Sequence, residues 1–242
     1  MTSSRSRSAL GSHETRALLL RRVDYGESDL VVALFTEKLG RVSALARGAR
    51  RSSKRFGGAL EPMHTLDVRC DEPRHGDLFV LRETRIAVPR ARLTTNLERM
   101  QAAGRALSWV RRAAPPRTAE PEVWQVMENL LDLLTGEKLA SAGTELAAAG
   151  LALLGAFGWG IDFERCVRCG KPCPETQPAM VDAAHGGLLC RACGGARTRL
   201  SADQRARLAR AAAGVPLALE AADSELALDL VDQAMRAHAG FD

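Results

Sequence analysis

The sequence predicts an α+β multidomain chain: a small N-terminal β-barrel followed by an α-helical domain that is interrupted by a cysteine-bearing insert. Three observations predict it. Residues 15–88 are short apolar runs broken by turn residues, the pattern of strands. After Pro89 the composition turns to Ala, Leu and Arg with few β-branched residues, the pattern of helices. Within the helical region stand two matched Cys-x-x-Cys pairs.

The barrel is read strand by strand. An apolar run at 17–20 leads into the polar loop Asp24-Tyr25-Gly26-Glu27-Ser28-Asp29, and a second run covers 30–35. Gly40 marks a turn before a third strand at 41–46, and 60–70 alternates apolar and polar as a half-buried strand does. Pro73 and Gly76 place a turn at 71–77, and 78–88 is the fifth strand. Five strands in 75 residues or so, with no helix long enough for a crossover, favour a closed or partly open barrel. Among such barrels the OB-fold is the common binder of oligonucleotides. The expected divisions are a disordered tail at 1–14, an OB-fold domain at 15–90 and a helical domain at 91–242. Within the barrel, Cys70, Phe35 and Phe79 fall in strands and are expected in its core.

The helical domain opens with a helix at 93–112, which Pro115-Pro116 ends. A second, at 122–134, places Val123, Val126, Met127, Leu130 and Leu134 on one face, with Gly136 as its stop. Residues 142–157 are nearly uncharged and form the expected core helix. The glycines of Gly155-Ala-Phe-Gly158-Trp-Gly160 are stops and do not fit a dinucleotide fingerprint. Ser201-x-x-Gln204 is a capping box that opens a short helix, and 224–239 forms the last one.

Cys166-x-x-Cys169 and Cys190-x-x-Cys193 are separated by 20 residues, and each pair is followed at once by Gly170 or Gly194. Such pairs wrap two thiolates each around one tetrahedral ion, so the insert at 166–193 is expected to be a zinc knuckle. Its Pro172, Pro174, Pro178, Gly186 and Gly187 suit a segment without a core, folded by its metal. Four thiolates leave no open position, which makes the ion structural. Cys173 and His185 lie close enough in sequence to be alternative ligands. A redox dithiol would sit beside a βαβ pattern, which this chain lacks.

Charge points to the partner. The formal net charge is +5, yet the first 90 residues carry 17 Lys/Arg against 11 Asp/Glu, so all of the excess lies there. Residues 41–58 hold Arg41, Arg47, Arg50, Arg51, Lys54 and Arg55 with no acid among them, and Gly48, Gly57 and Gly58 admit a close approach. Ser52 and Ser53 can donate to phosphate oxygens. This reads as an electrostatic groove for a nucleic-acid backbone, with Phe56 and Tyr25 placed to stack on bases. The bland alternative is a solvated charged face. No run of about 18 apolar residues spans a membrane, the N-terminus lacks a secretory apolar stretch, and no phosphate loop or other catalytic motif is present. A cytoplasmic protein without enzymatic activity or small-molecule substrate is expected. Asp24, Glu27 and Asp29 leave a metal-dependent nuclease as a distant alternative, and a zinc-ribbon regulator that binds DNA through the insert as a nearer one.

The chain resembles the bacterial DNA repair protein RecO family of recombination mediators. The resemblance rests on Asp24-Tyr25-Gly26-Glu27-Ser28-Asp29, Leu34-Phe35-Thr36, Gly40-Arg41 and the run Ala46-Arg47-Gly48-Ala49-Arg50-Arg51. It continues through Arg55-Phe56-Gly57-Gly58-Ala59-Leu60-Glu61-Pro62, the Cys166/Cys169 pair and Gly186-Gly187-Leu188-Leu189-Cys190-x-x-Cys193. It implies an OB-fold with a zinc-bearing helical domain, binding of single- and double-stranded DNA, and annealing of complementary strands. It also implies action with RecR in loading RecA onto DNA coated by single-strand-binding protein, in a nucleoid-associated role. On that likeness the DNA-contacting residues are Arg41, Arg47, Arg50, Arg51, Lys54 and Arg55.

Overall fold

The computed structural model describes residues 11–240 apart from 52, 57, 138, 140 and 217, with the side chains of Ser53 and Lys54 also outside the description. Residues 1–10 of the expected tail lie outside it too. Two compact units divide the chain: Met1–Pro89 with Pro115–Ala119, and Arg90–Ala114 with Glu120–Asp242.

The first unit is a closed five-stranded barrel of the OB type. Its strands are β1 (Ser12–Tyr25), β2 (Asp29–Thr36), β3 (Gly40–Ala46), β4 (Thr65–Asp71) and β5 (Leu78–Val88), in the order β1-β2-β3-β5-β4. The long first strand closes the barrel. Its first half pairs with β4 and its second half with β2, and a bulge between Leu19 and Arg21 bends it. Strand β1 begins at Ser12, so residues 12–14 are strand and not tail. Alternation along the strands puts Ala17, Leu19, Val32, Leu34, Val42, Ala44, Leu66, Val68 and Leu81 inside. Cys70 and Phe79 join them, and Phe35 is fully buried as well.

Between β3 and β4 runs a turn and a single helical turn, α1 (Ser53–Phe56). The expected strand at 60–70 begins only at Thr65, because Met63 takes a left-handed φ of 80° that breaks the extended run. The segment Pro115–Ala119 also belongs to this unit. Pro116 bridges Arg41 at the start of β3, and the Arg117 N–H donates to the Arg41 carbonyl at 2.9 Å. Gly40 makes room for it: a Cβ there would lie 1.7 Å from the Thr118 carbonyl oxygen.

The second unit is built on α2 (Ala91–Thr94), α3 (Leu97–Ala113), α4 (Pro121–Thr135), α5 (Ala142–Ala156), α6 (Ala202–Ala212) and α7 (Ser224–Ala239). The helix expected at 93–112 is interrupted at Thr95-Asn96, where the Asn96 side chain caps α3 by accepting from the Arg99 N–H. Helix α5 is the core, with Leu146, Ala147, Leu151, Leu153 and Leu154 buried. Gly150 lets the neighbouring helices close in, since a Cβ there would be 3.0 Å from the Val231 methyls and 3.1 Å from the Trp109 ring. The capping box at Ser201 and Gln204 forms as read. Buried Arg90 is answered by Asp132 at 2.7 Å and Glu128 at 3.3 Å.

The insert is more ordered than a bare knuckle. Strands β6 (Asp162–Cys166), β7 (Ala179–Asp182), β8 (Gly187–Leu189) and β9 (Thr198–Leu200) form one sheet in the order β6-β8-β7-β9, with Val181, Ala183, Leu188, Leu189 and Leu200 buried. The expectation of a segment without a core is corrected: short strands supply a small one.

Candidate nucleic-acid interface and metal centre

The metal centre is built from two turns. Strand β6 delivers Cys166, whose carbonyl accepts the Gly170 N–H at 2.8 Å, and Gly170 adopts the left-handed φ of 70°. At the second turn the Cys190 carbonyl accepts the N–H groups of Cys193 and Gly194, and Gly194 has φ 55°. The sulfurs of Cys166, Cys169, Cys190 and Cys193 all lie within 4.8 Å of one another, the only such group among the described residues. Cys169 Sγ and Cys190 Sγ are 3.7 Å apart. Thiolates bound at about 2.3 Å in a tetrahedron stand about 3.8 Å apart, so four sulfurs at this spacing can hold one metal ion. The backbone favours the ligand form at two positions: N–H groups led by that of Cys190 hold the Cys166 thiol down to about 6, and the Cys193 N–H leads in lowering the Cys190 thiol. Hydrogen bonds with Cys190 and Cys169 push Cys193 up to about 12, since thiols crowded together resist ionising together.

The two alternative ligands are placed elsewhere. Cys173 is buried, its thiol pushed up by that burial, and it stands outside the four-sulfur group. His185 Nδ1 is paired with Asp182 Oδ2 at 2.9 Å.

The basic loop gathers Arg47, Arg50, Arg51 and Arg55 as exposed residues between β3 and the end of α1. Arg41 sits half-buried at the start of β3, while the Lys54 side chain lies outside the described residues. The loop is pinned from below. Asp29 Oδ1 accepts the Gly48 N–H at 2.7 Å, the Arg50 N–H donates to the Ser28 carbonyl at 3.0 Å, and Arg55 Nη2 donates to the Arg47 carbonyl at 2.8 Å. The sequence run holds no acid, but besides Asp29 the fold brings two more to it. Asp24, at the end of β1, pairs with Arg50 at 3.6 Å, and Glu27, in the turn that follows, with Arg51 at 3.5 Å. Sequence reasoning missed this neighbourhood because residues some 25 apart meet only through strand pairing. With Asp24 and Glu27 facing guanidinium groups and Asp29 capping the loop, these carboxylates do not converge as a nuclease centre requires.

The aromatic expectations divide. Tyr25 is 59% exposed at the β1–β2 turn. Phe56 is only 2% exposed and belongs to the barrel core, so its assignment to base stacking is corrected. A ring covered to this degree cannot project between bases as a stacking platform; the Arg55 guanidinium lies over it, 5.2 Å from the centroid. No helix among the described residues is long and apolar enough to cross a membrane.

Comparison with known proteins agrees across both units. The family model described as recombination protein O N terminal matches residues 10–90, and that described as recombination protein O C terminal matches residues 94–241. The DNA repair protein RecO of Anaeromyxobacter sp. (strain K) is 39% identical over 176 residues, 73% of this chain and 68% of that protein. That of Myxococcus xanthus is 35% identical over 182 residues, 75% and 72% of the two chains. That of Geobacter sulfurreducens is 34% identical over 187 residues, 77% and 75%.

Proposed function

This chain belongs to the recombination protein O family of DNA repair proteins, and from that premise we propose that it is a non-enzymatic recombination mediator that binds DNA and anneals complementary strands. The observation that carries the reading is the cluster of exposed arginines 47, 50, 51 and 55 on a pinned loop of an OB-type barrel. Arg41 and Lys54 extend the same basic run. Its targets are single- and double-stranded DNA. Its partners, carried over from the family, are RecR and the single-strand-binding protein whose coated DNA it helps RecA to occupy, in the cytoplasm at the nucleoid.

Annealing needs no covalent step. Two strands repel through their phosphates, and cations on a fixed surface lower that repulsion while the bases stay free to pair. The pairs Asp24–Arg50 and Glu27–Arg51 do not block this. Exposed ion pairs contribute only about 0–1 kcal/mol, so an incoming phosphate displaces them readily. Backbone binding of this kind depends on salt. Engagement of four to six cations by single-stranded DNA gives a slope of log affinity against log salt of roughly −3 to −4. A structural zinc on Cys166, Cys169, Cys190 and Cys193 completes the helical unit. Four thiolates exclude water and substrate from the ion, and its contribution is folding energy.

The test is annealing of complementary oligonucleotides, bare and coated with single-strand-binding protein, without nucleotide or magnesium. The native protein is expected to accelerate it. A variant carrying Arg50→Ala, Arg51→Ala and Lys54→Ala is expected to stay folded, lose most of the acceleration and show a shallower salt slope by about 2. Equal performance by the variant would reduce the loop to a solvated face.

A further inference from the structure

Beside the arginine loop the barrel surface opens into a groove of about 360 Å³ whose floor is apolar: Leu30, Ala49, Phe56 and Leu60 line it. Its rim carries charge of both signs, Arg22 and Arg50 against Asp24 and Glu61. We propose that this groove receives one unstacked nucleobase of a DNA strand whose phosphates lie on the arginine loop. The proposal rests on the DNA-binding reading above and adds a base site to it.

Three features favour a base as the occupant. First, the groove is continuous with the phosphate surface, because Arg50 lines the one and belongs to the other. A nucleotide held by its phosphate at Arg50 therefore has its base within reach. Second, the chemistry matches an aromatic heterocycle. The floor suits a flat π-face, and the rim offers both donors and carboxylate acceptors, as the edges of a base require. A second phosphate would meet Asp24 and Glu61, and a purely apolar side chain would strip water from four charged groups with nothing in return. Third, the wall is set in advance. Arg22 Nη1 donates to the Leu60 carbonyl at 2.7 Å and to Glu61 Oε1 at 2.5 Å, while Gly58, at φ 72°, leaves open space where a side chain would project. The volume falls in the range of small-molecule sites. Taking a base out of its stack is cheapest in single strands, so the groove biases the barrel toward unpaired DNA.

The experiment compares two single strands of equal length and charge, one bearing bases and one fully abasic, by fluorescence anisotropy across a salt series. The native protein is expected to bind the base-bearing strand about tenfold more tightly, with the same salt slope for both. Ala49→Leu, which fills the groove from its floor, is expected to bring the ratio near one while leaving the slope intact. Tyr25→Ala, which removes the exposed ring at the end of β1 without touching the core, separates the two base contacts: the preference is expected to shrink but to persist. Equal native affinity for the two strands would overturn the base site while leaving phosphate binding in place. So would a preference that survives in folded Ala49→Leu or vanishes in Tyr25→Ala, since the base would then stack on the tyrosine. Failure of the native protein to bind either strand would overturn the DNA reading itself and the groove's role with it.

Discussion

Arg205 is 3% exposed, and among the described residues no carboxylate forms an ion pair with it. Its guanidinium instead donates to the carbonyls of Phe163, Cys173 and Pro174, so one side chain on α6 satisfies three backbone acceptors of the cysteine-bearing insert. Arginine is the only side chain with enough donors in a fixed fork to do this. Arg205→Met is therefore expected to leave buried carbonyls unanswered and to cost about 2–4 kcal/mol in urea unfolding; a loss under about 0.5 kcal/mol would mean that the acceptors find water. Two residues along, Arg207 grips Asp223 through bonds of 2.6 and 3.0 Å. Those bonds hold the buried carboxyl of Asp223 below the usual carboxylate range, against the opposing effect of burial. A group whose folded pKa is depressed stabilises the fold above its ordinary value, near 3.9, and loses that contribution as pH falls through the folded value. Asp223→Asn is thus expected to be less stable than the native protein at pH 7, with the gap closing below about pH 4. A gap that is constant from pH 7 to pH 3 would show that packing, and not charge, accounts for the loss.

At the scale of elements, the turn between β2 and β3 decides whether the segment Pro115–Ala119 can lie on the barrel. Gly40 has φ 65°, and a Cβ there would collide with the Thr118 carbonyl. Gly40→Ala combines a left-handed penalty of about 1 kcal/mol with displacement of that segment, and a loss of at least about 2 kcal/mol in barrel stability is expected. An alanine variant as stable as the native chain would mean that the segment is not held there. Arg117 reinforces the contact, lying 5.3 Å over the Phe79 ring and 3.2 Å from Asp77. None of this was legible in the sequence, where Pro115-Pro116 says only that a helix ends; the partner of five irregular residues is chosen by tertiary geometry. The barrel strands were legible, because apolar runs bounded by turn residues recur five times, though the fourth begins at Thr65 and not at 60. So was the capping box at Ser201, a purely local device. The four-stranded sheet of the insert was not, since strands of three to five residues carry too few alternations to register. Phe56 misled for a related reason: an aromatic among cations reads the same whether its ring points in or out. The clustering of the four cysteines was legible because two turns fix their spacing.

For the molecule as a whole, the two proposed roles fall on separate units, and treatment with a metal chelator tests that division. The proposed DNA surface belongs to the barrel unit, whose strands need no ion to bury their apolar faces. The four sulfurs belong to the other unit, where a sheet of short strands has only a handful of buried residues around it. Metal binding free energy there is folding free energy. A strong chelator with a mild reductant is therefore expected to release one zinc per chain and to open the insert to proteolysis within 162–200, while 12–88 stays protected. Single-stranded DNA affinity is expected to change by less than about threefold with an unaltered salt slope, because the phosphate contacts counted by that slope lie on Arg47, Arg50, Arg51 and Arg55. Annealing in the presence of single-strand-binding protein is a separate readout and reports whether the helical unit has a partner to meet. The outcome that reverses the assignment is loss of DNA binding in step with loss of zinc while the barrel remains folded. The insert, with Arg168, Lys171 and Arg191, would then be the DNA reader. The arginine loop would be left as a charged surface awaiting another role.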